Sequence, residues 1–323
     1  MPGSRSLIDD ELAEALKAVL MNRKRLFDLT DIPAARKAQR SFAESVAATL
    51  PDDPSVTVRE LRVPRAGGPA VPVRLLRPVD APGPLPVMVW FHGGGQVVGF
   101  AAQDDPRLTR MCLALGCAIA SVDYRLAPET PAPGAAEDGY TAYQFITREA
   151  GPLGLDRTRT GLAGVSGGGA IAAATALLIR DRGAAAPLFQ SLTFPMLDDR
   201  NATRSSREIT DIGIWDRETN ILAWRAVLGD RAGADDVSPY CAPARASDLA
   251  GLPPTFIAAG ELDVFRDEDL DYAARLRACG VPVELHLYPG AYHSFNVFAP
   301  SSRLAASFDH TWLSYLARRF AAA

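Results

Sequence analysis

Cysteine, positive charge and long apolar runs are all scarce in this chain of 323 residues, and each shortage removes a class of function. The four cysteines, Cys112, Cys117, Cys241 and Cys279, form no C-x-x-C pair, and none stands beside a histidine at metal-ligand spacing, so no metal site is expected. They read instead as small buried hydrophobes in a reducing compartment. Lysine and arginine number 34 against 38 aspartates and glutamates, a formal net charge of -4, which offers no positive potential to hold a phosphate backbone. Nucleic acid is therefore not an expected partner. No apolar run reaches the length of a bilayer span, and the opening residues pass directly into Asp9, Asp10 and Glu11, with no room for the apolar core of a signal peptide. A soluble, cytoplasmic protein with no membrane span is the expectation. Absent too are an internal repeat, a low-complexity tract, a G-x-G-x-x-G after a first strand and a Walker lysine, which makes nucleotide binding a poor fit.

What the chain does hold is an ordinary globular balance, 48% hydrophobic and 22% charged, enough to bury a sizeable core. Its length exceeds the usual single domain, yet α/β folds often reach it around one sheet, so one catalytic domain with an added lid is expected. Leu12, Leu16, Val19, Leu20 and Phe27 fall on one stripe and predict a helix over 10–27; a second is predicted over 33–50. Apolar and β-branched runs over 56–63 and 71–76, on either side of Gly67-Gly68, predict an antiparallel hairpin. After a proline-rich joint, the continuous run Val87-Met88-Val89-Trp90-Phe91 reads as a strand buried on both faces of a parallel sheet. Helices over 106–115, 135–149, 170–182, 267–278 and 303–320 then alternate with strands over 118–122, 160–165, 189–194, 255–259 and 283–288. That alternation predicts an α/β fold with a mostly parallel sheet. The interruption at 198–254 is too long for a tight connection and partly helical around 218–228, so it reads as a lid insertion packed with the N-terminal helices over the carboxyl edge of the sheet. The expected division is cap helices 1–50, catalytic domain 51–197, cap insertion 198–254 and the rest of the catalytic domain 255–323.

Gly164-Val165-Ser166-Gly167-Gly168 fits G-x-S-x-G and lies between a predicted strand and a predicted helix, the setting a nucleophile elbow requires. Side chains at Gly164 or Gly168 would collide with the adjoining strand and helix, and the helix N-terminus aims at developing negative charge. A plain glycine-rich turn with an inert serine is the alternative, and the strand-helix setting counts against it. His92-Gly93-Gly94-Gly95 follows the buried strand directly, where such a hydrolase places its second oxyanion donor. N–H groups of Gly93 or Gly94 and of Gly167 would form the hole. A serine hydroxyl is a weak nucleophile and needs a base, usually histidine. His92 reads as a brace of the glycine loop, His310 as a solvated helix residue, and His286 as packed on a strand face with Glu284 and Tyr288. His293 remains, past Pro289-Gly290 in a loop at the carboxyl edge. The order Ser, acid, His then calls for an acid after the strand over 255–259, where Glu261, Asp263 and Asp267 all stand.

Together these residues resemble the bacterial hormone-sensitive-lipase-like esterases of the α/β-hydrolase superfamily, especially its acetyl-ester hydrolases such as heroin esterase. The likeness runs from Arg59 through nearly the whole remaining chain. Its carriers are His92-Gly93-Gly94-Gly95, Asp123-Tyr124-Arg125-Leu126-Ala127-Pro128-Glu129, Ser166 in its elbow, Asp263 with Arg266-Asp267-Glu268, and His293. It implies an α/β-hydrolase fold with a helical cap, a Ser166, His293 and Asp263 triad, a small-molecule short-chain ester as substrate, and no cofactor. It also makes a homodimer through the strand over 283–288 plausible. Asp263 aligns with the family's acid, whereas Glu261 leaves the strand too early and Asp267, after an arginine, reads as a helix cap. The 124–129 stretch is structural in that family. Four positions depart from the family pattern: Val165 for an acidic residue, Gly167 for alanine, Val264 for proline, and Gln96 for a bulky apolar residue, the last bearing on the acyl pocket. Trp215 and Trp224 in the lid are expected to close that pocket around acetyl to butyryl groups. Ester hydrolysis through an acyl-enzyme is the expected function. The alternatives are acyl transfer or amide hydrolysis by the same triad, or a ligand-binding module on this fold, which the presence of His293 disfavours.

Overall fold

In the computed structural model, which describes residues 4–21, 23–48 and 53–322, Asp9 caps the first helix by accepting the N–H groups of Glu11 and Leu12. Helix α1 (Asp10–Leu20) buries Leu12, Leu16 and Leu20 and stops where Met21 turns left-handed at φ 45°. Phe27 therefore lies beyond the helix, not on its expected stripe. Helix α2 (Ile32–Ala47), capped by Asp31, buries only Ala35 of its own residues; the expected end at Leu50 falls outside the described residues.

Strands β1 (Val56–Val63) and β2 (Val71–Pro78) close the expected hairpin, with Val63 opposite Val71. β3 (Leu85–Phe91), β4 (Ala118–Val122), β5 (Leu155–Val165), β6 (Gln190–Thr193), β7 (Thr255–Leu262) and β8 (Val283–Tyr292) follow. The eight strands lie in the order β1-β2-β4-β3-β5-β6-β7-β8, and β2 alone runs against the rest. Between them the chain forms α3 (Asp105–Leu115), α4 (Gly134–Arg148), α5 (Ala150–Leu153), α6 (Gly167–Asp181), α7 (Arg204–Glu208), α8 (Arg217–Leu228), α9 (Arg266–Ala278), α10 (Phe295–Phe298) and α11 (Arg303–Ala321). Alternate residues of β3 serve opposite faces of the sheet. Met88 and Trp90 join the core under α3 and α11, while Val87, Val89 and Phe91 join the core under α4, α6 and α9. Burial of each such side chain contributes about 1.5–3 kcal/mol, which is why this strand reads as an unbroken apolar run.

Two boundaries differ from expectation where it matters. β8 does not end at Tyr288: Pro289 and Gly290 bulge outward, and the strand resumes until Tyr292 pairs with Leu262. Gly290 takes φ 67° there and donates its N–H to Glu261 Oε2 at 2.9 Å. His293 thus leaves from the strand end itself, not from a free loop. Helix α6 also begins earlier than expected, at Gly167, directly after Ser166.

Helix α2 lies over the loops that follow β3 and β4, while α1 packs against the end of β8, where the Tyr292 hydroxyl donates to the Leu12 carbonyl. Arg36 of α2 donates to the carbonyls of Val97 and Ala127 and pairs with Glu129, while Arg25 pairs with Glu218 of α8 and Glu11 of α1 with Arg303. The 124–129 stretch is accordingly a strut: besides the Glu129 pair, Arg125 and Arg65 close on the buried Asp138. Among the described residues no helix is long and apolar enough to cross a membrane.

Candidate active site

Ser166 sits between β5 and α6 at φ 58°, ψ -123°, a conformation that a non-glycine residue adopts only when its surroundings hold it. Its N–H donates to Thr193 O at 2.9 Å, and its carbonyl accepts the N–H groups of Ala170 and Met196. The hydroxyl is thereby turned to His293, whose Nε2 lies 2.9 Å from Ser166 Oγ. On the far side of the ring, Nδ1 lies 2.7 Å from Asp263 Oδ2, and Asp263 Oδ1 accepts the N–H of Phe265 at 3.0 Å. Asp263 has no exposed surface, and Ser166 and His293 are each 4% exposed. Phe194, Phe265 and Trp215 surround the imidazole with ring centroids 5.2–6.2 Å away.

The other acids have different work. Glu261, set aside in the sequence because it leaves the strand too early, holds the Gly290 bulge just before His293 with its carboxylate. Asp267 does not cap its own helix, as expected; it accepts the N–H of Ser205 at 2.7 Å, at the start of α7, and so ties α9 to the inserted segment. Glu268 and Asp269 are buried beside Asp263, and burial pushes both well above the usual carboxylate range. Neither Asp269 oxygen has a hydrogen-bond partner among the described residues, and burial together with the Glu268 and Asp263 carboxylates disfavours its charged form.

Gly93 and Gly94 line the same cavity as Ser166 and His293, and neither N–H has an acceptor among the described residues. The N–H of Gly167 opens α6, where the helix leaves its first donors unpaired. Burial lowers the His92 pKa, so the ring stays neutral and donates from Nδ1 to Gly93 O at 2.8 Å, stacked 4.1 Å from Tyr124. The Tyr124 hydroxyl donates to the His92 carbonyl at 2.7 Å. His92 is a brace, as the sequence indicated.

The elbow tolerates no side chain: a Cβ at Gly164 would lie 2.2 Å from Gly168 O, and one at Gly168 would lie 2.2 Å from Phe91 O. Gly167 is the more informative case. A Cβ there would lie 2.7 Å from Gln96 N and 2.8 Å from Gly95 Cα, both backbone atoms, so the loop after β3 occupies the space an alanine methyl would fill. Gln96 lies in that loop at φ 62°, 6% exposed and not among the residues lining the cavity. Glycine at 167 thus leaves the room that the backbone of the loop carrying Gln96 occupies. Gly167→Ala should push that loop, and Gly93 and Gly94 with it. Because a displacement of about 1 Å costs about 100-fold, kcat on p-nitrophenyl acetate should fall by about 10- to 100-fold. Wild-type kcat in this variant would show that the loop is not tight.

The cavity holds about 170 Å³ and joins α2 (Gln39, Phe42, Ala43, Val46), Phe27, the inserted segment (Ile214, Trp215) and the chain after His293 (Val297, Phe298). Trp215 lines it as expected. Trp224 does not, because its position on α8 turns it into the core, fully buried. Sequence reasoning missed Gln103, whose Nε2 donates to Gly93 O at 3.2 Å and whose Oε1 accepts from Gln39 at 3.1 Å, linking α2 to the glycine loop. It missed Asp104 and Arg107 as well; no motif marks these three positions.

Residues 88–297 match a protein family described as having the α/β hydrolase fold. Carboxylesterase NlhH of Mycobacterium tuberculosis is 37% identical over 248 residues, 76% of this chain and 77% of that protein. Esterase LipI of the same organism is 36% identical, covering 79% of this chain and 82% of its own. Among solved structures, a bacterial heroin esterase superposes with a TM-score of 0.93 at 40% identity, over 98% of this chain and 99% of the other. The chain belongs to the hormone-sensitive-lipase-like esterases of the α/β-hydrolase fold.

Proposed function

We propose that this protein hydrolyses short-chain carboxylic esters through a Ser166, His293 and Asp263 triad and an acyl-enzyme intermediate. The observation that carries the reading is the unbroken hydrogen-bond chain from Ser166 Oγ through His293 to Asp263, at one end of a mostly apolar cavity. Ser166 Oγ attacks the ester carbonyl carbon as His293 Nε2 takes its proton, and the carbonyl oxygen gains the negative charge. The N–H groups of Gly93, Gly94 and Gly167 receive that charge; in a comparable site, loss of one such donor costs about 10²–10³ in kcat. Collapse of the intermediate breaks the bond to the alcohol oxygen, which takes the proton from His293 and leaves an acyl-Ser166. Water then attacks the acyl group, gives a proton to His293, and releases the acid as the proton returns to Ser166.

A cavity of about 170 Å³ compares with the roughly 150 Å³ that admits a benzene molecule, so it suits acetyl to butyryl groups. Phe27 and Phe42 from the N-terminal cap and Trp215 from the inserted segment stand where a longer chain would run. This placement supports the division into a cap (1–50 and 198–254) over a catalytic domain (51–197 and 255–323). A series of p-nitrophenyl esters from acetyl to decanoyl should give kcat/KM at least about tenfold higher for acetyl to butyryl than for decanoyl. Fastest turnover of decanoyl would show that the cap does not limit the chain. We further assign a homodimer across β8, an edge strand that exposes Leu285 and Leu287 at 40% and 43%. Sedimentation should then report twice the 34.5 kDa chain mass.

A further inference from the structure

Among the polar residues that line the cavity, Gln39 is bonded to Gln103 and Arg107 to the adjoining Asp104. Arg107 is the one lysine or arginine among the described residues lining it. It lies in the first turn of α3 with its guanidinium 5.1 Å over the Trp90 ring, and one Nη donates to Asp104 Oδ1 at 2.7 Å. The other Asp104 oxygen accepts the Trp90 indole N–H at 2.8 Å. A guanidinium carries five N–H donors. The bond to Asp104 is the one hydrogen bond that the described residues give this one, and its Nε is buried with no partner.

An ion pair serving only the fold would sit poorly here. Removing both charges from water at the wall of an apolar cavity is costly, and the pair recovers that cost only when its remaining donors are met. Asp104 and Trp90 hold the guanidinium in one place, and Asp309 of α11 also lies within range of its charge; with Nε shut away from the cavity, the remaining Nη hydrogens are the donors left for a ligand. Both Asp104 oxygens are engaged, so the open chemistry is donation. The complement of Arg107 is an oxygen acceptor.

We propose that Arg107, in the wall of the cavity, recognises a second acceptor oxygen on the substrate, a ketone, ester carbonyl or carboxylate remote from the bond being cleaved. The preferred esters are then oxygen-bearing ones rather than plain alkanoates. This proposal rests on the ester-hydrolase reading of the same cavity and adds a specificity-determining residue to it.

The test compares p-nitrophenyl levulinate with p-nitrophenyl pentanoate, acyl chains of equal length that differ by one ketone, in wild type, Arg107→Met and Arg107→Lys. A second arm compares the acetate of a keto alcohol with that of the matching alkanol. The kcat/KM ratio within one variant cancels loss of folded enzyme, and the ketone's intrinsic reactivity cancels between variants. A hydrogen bond to a charged donor predicts a wild-type ratio about tenfold above that of Arg107→Met on one arm, with Arg107→Lys between them. The responding arm tells whether the oxygen belongs to the acyl or the alcohol side. Equal ratios in wild type and Arg107→Met on both arms overturn the proposal and leave the ester-hydrolase reading standing. Failure of wild type to hydrolyse p-nitrophenyl acetate overturns that reading, and this proposal falls with it.

Discussion

Ser166→Ala should lower kcat by about 10⁶, the loss seen when the nucleophile of a serine-protease triad is removed. The fold should survive the change. Ser166 is held at its left-handed φ by backbone bonds to Thr193, Ala170 and Met196, none of which involves the hydroxyl, and alanine at φ 58° is no more strained than serine. The hydroxyl itself contacts His293, and the imidazole left without it still keeps its Asp263 bond. Residual hydrolysis above the uncatalysed rate is expected, because the oxyanion donors and the cavity remain. A thermal midpoint within a few degrees of wild type, alongside the lost turnover, separates a chemical role from a structural one. Turnover near the wild-type rate would remove Ser166 from the mechanism.

Asp263→Asn should cost about 10⁴ in kcat, the size known for the same change in a serine protease. The local hydrogen bonds make the direction specific. Asp263 Oδ1 accepts the N–H of Phe265 at 3.0 Å, so an asparagine must keep its oxygen there and turn its NH2 toward His293 Nδ1. A donor at that position makes Nδ1 the acceptor and puts the imidazole proton on Nε2, facing Ser166 Oγ. The base is then already protonated where it must accept. Glu261→Gln retains an oxygen for the Gly290 N–H and should stay near wild type. Loss of turnover in Glu261→Gln with retention in Asp263→Asn would move the acid to another residue.

The sheet was legible because its central strands are buried on both faces: β3 leaves no room for polar alternation, and the helices on either side repeat at a different period. The elbow was legible for a related reason, since a Cβ at Gly164 or Gly168 would lie 2.2 Å from a backbone oxygen, which admits nothing but glycine there. The end of β8 was not. Proline and glycine at 289 and 290 signal a turn, and nothing in the sequence tells that the strand resumes beyond a bulge stabilised by Glu261, a residue of the neighbouring strand. Helical periodicity alone also left open which lid tryptophan meets the cavity, because that depends on how α8 packs; Trp224 faces the core and Trp215 the cavity. Arg107 lay beyond sequence reasoning altogether: an arginine in the first turn of a helix looks solvated until Trp90 and Asp104 are seen to hold it.

A serine that serves as nucleophile is captured covalently by an electrophile that mimics the ester, and Ser166 should be that serine. Treating the protein with a serine-directed phosphonate and mapping the adduct by mass spectrometry should give one modification per chain, on the peptide that carries Ser166, with Asp263→Asn labelled more slowly than wild type. An adduct on any other serine, or continued ester hydrolysis in protein whose Ser166 is fully modified, would contradict that role.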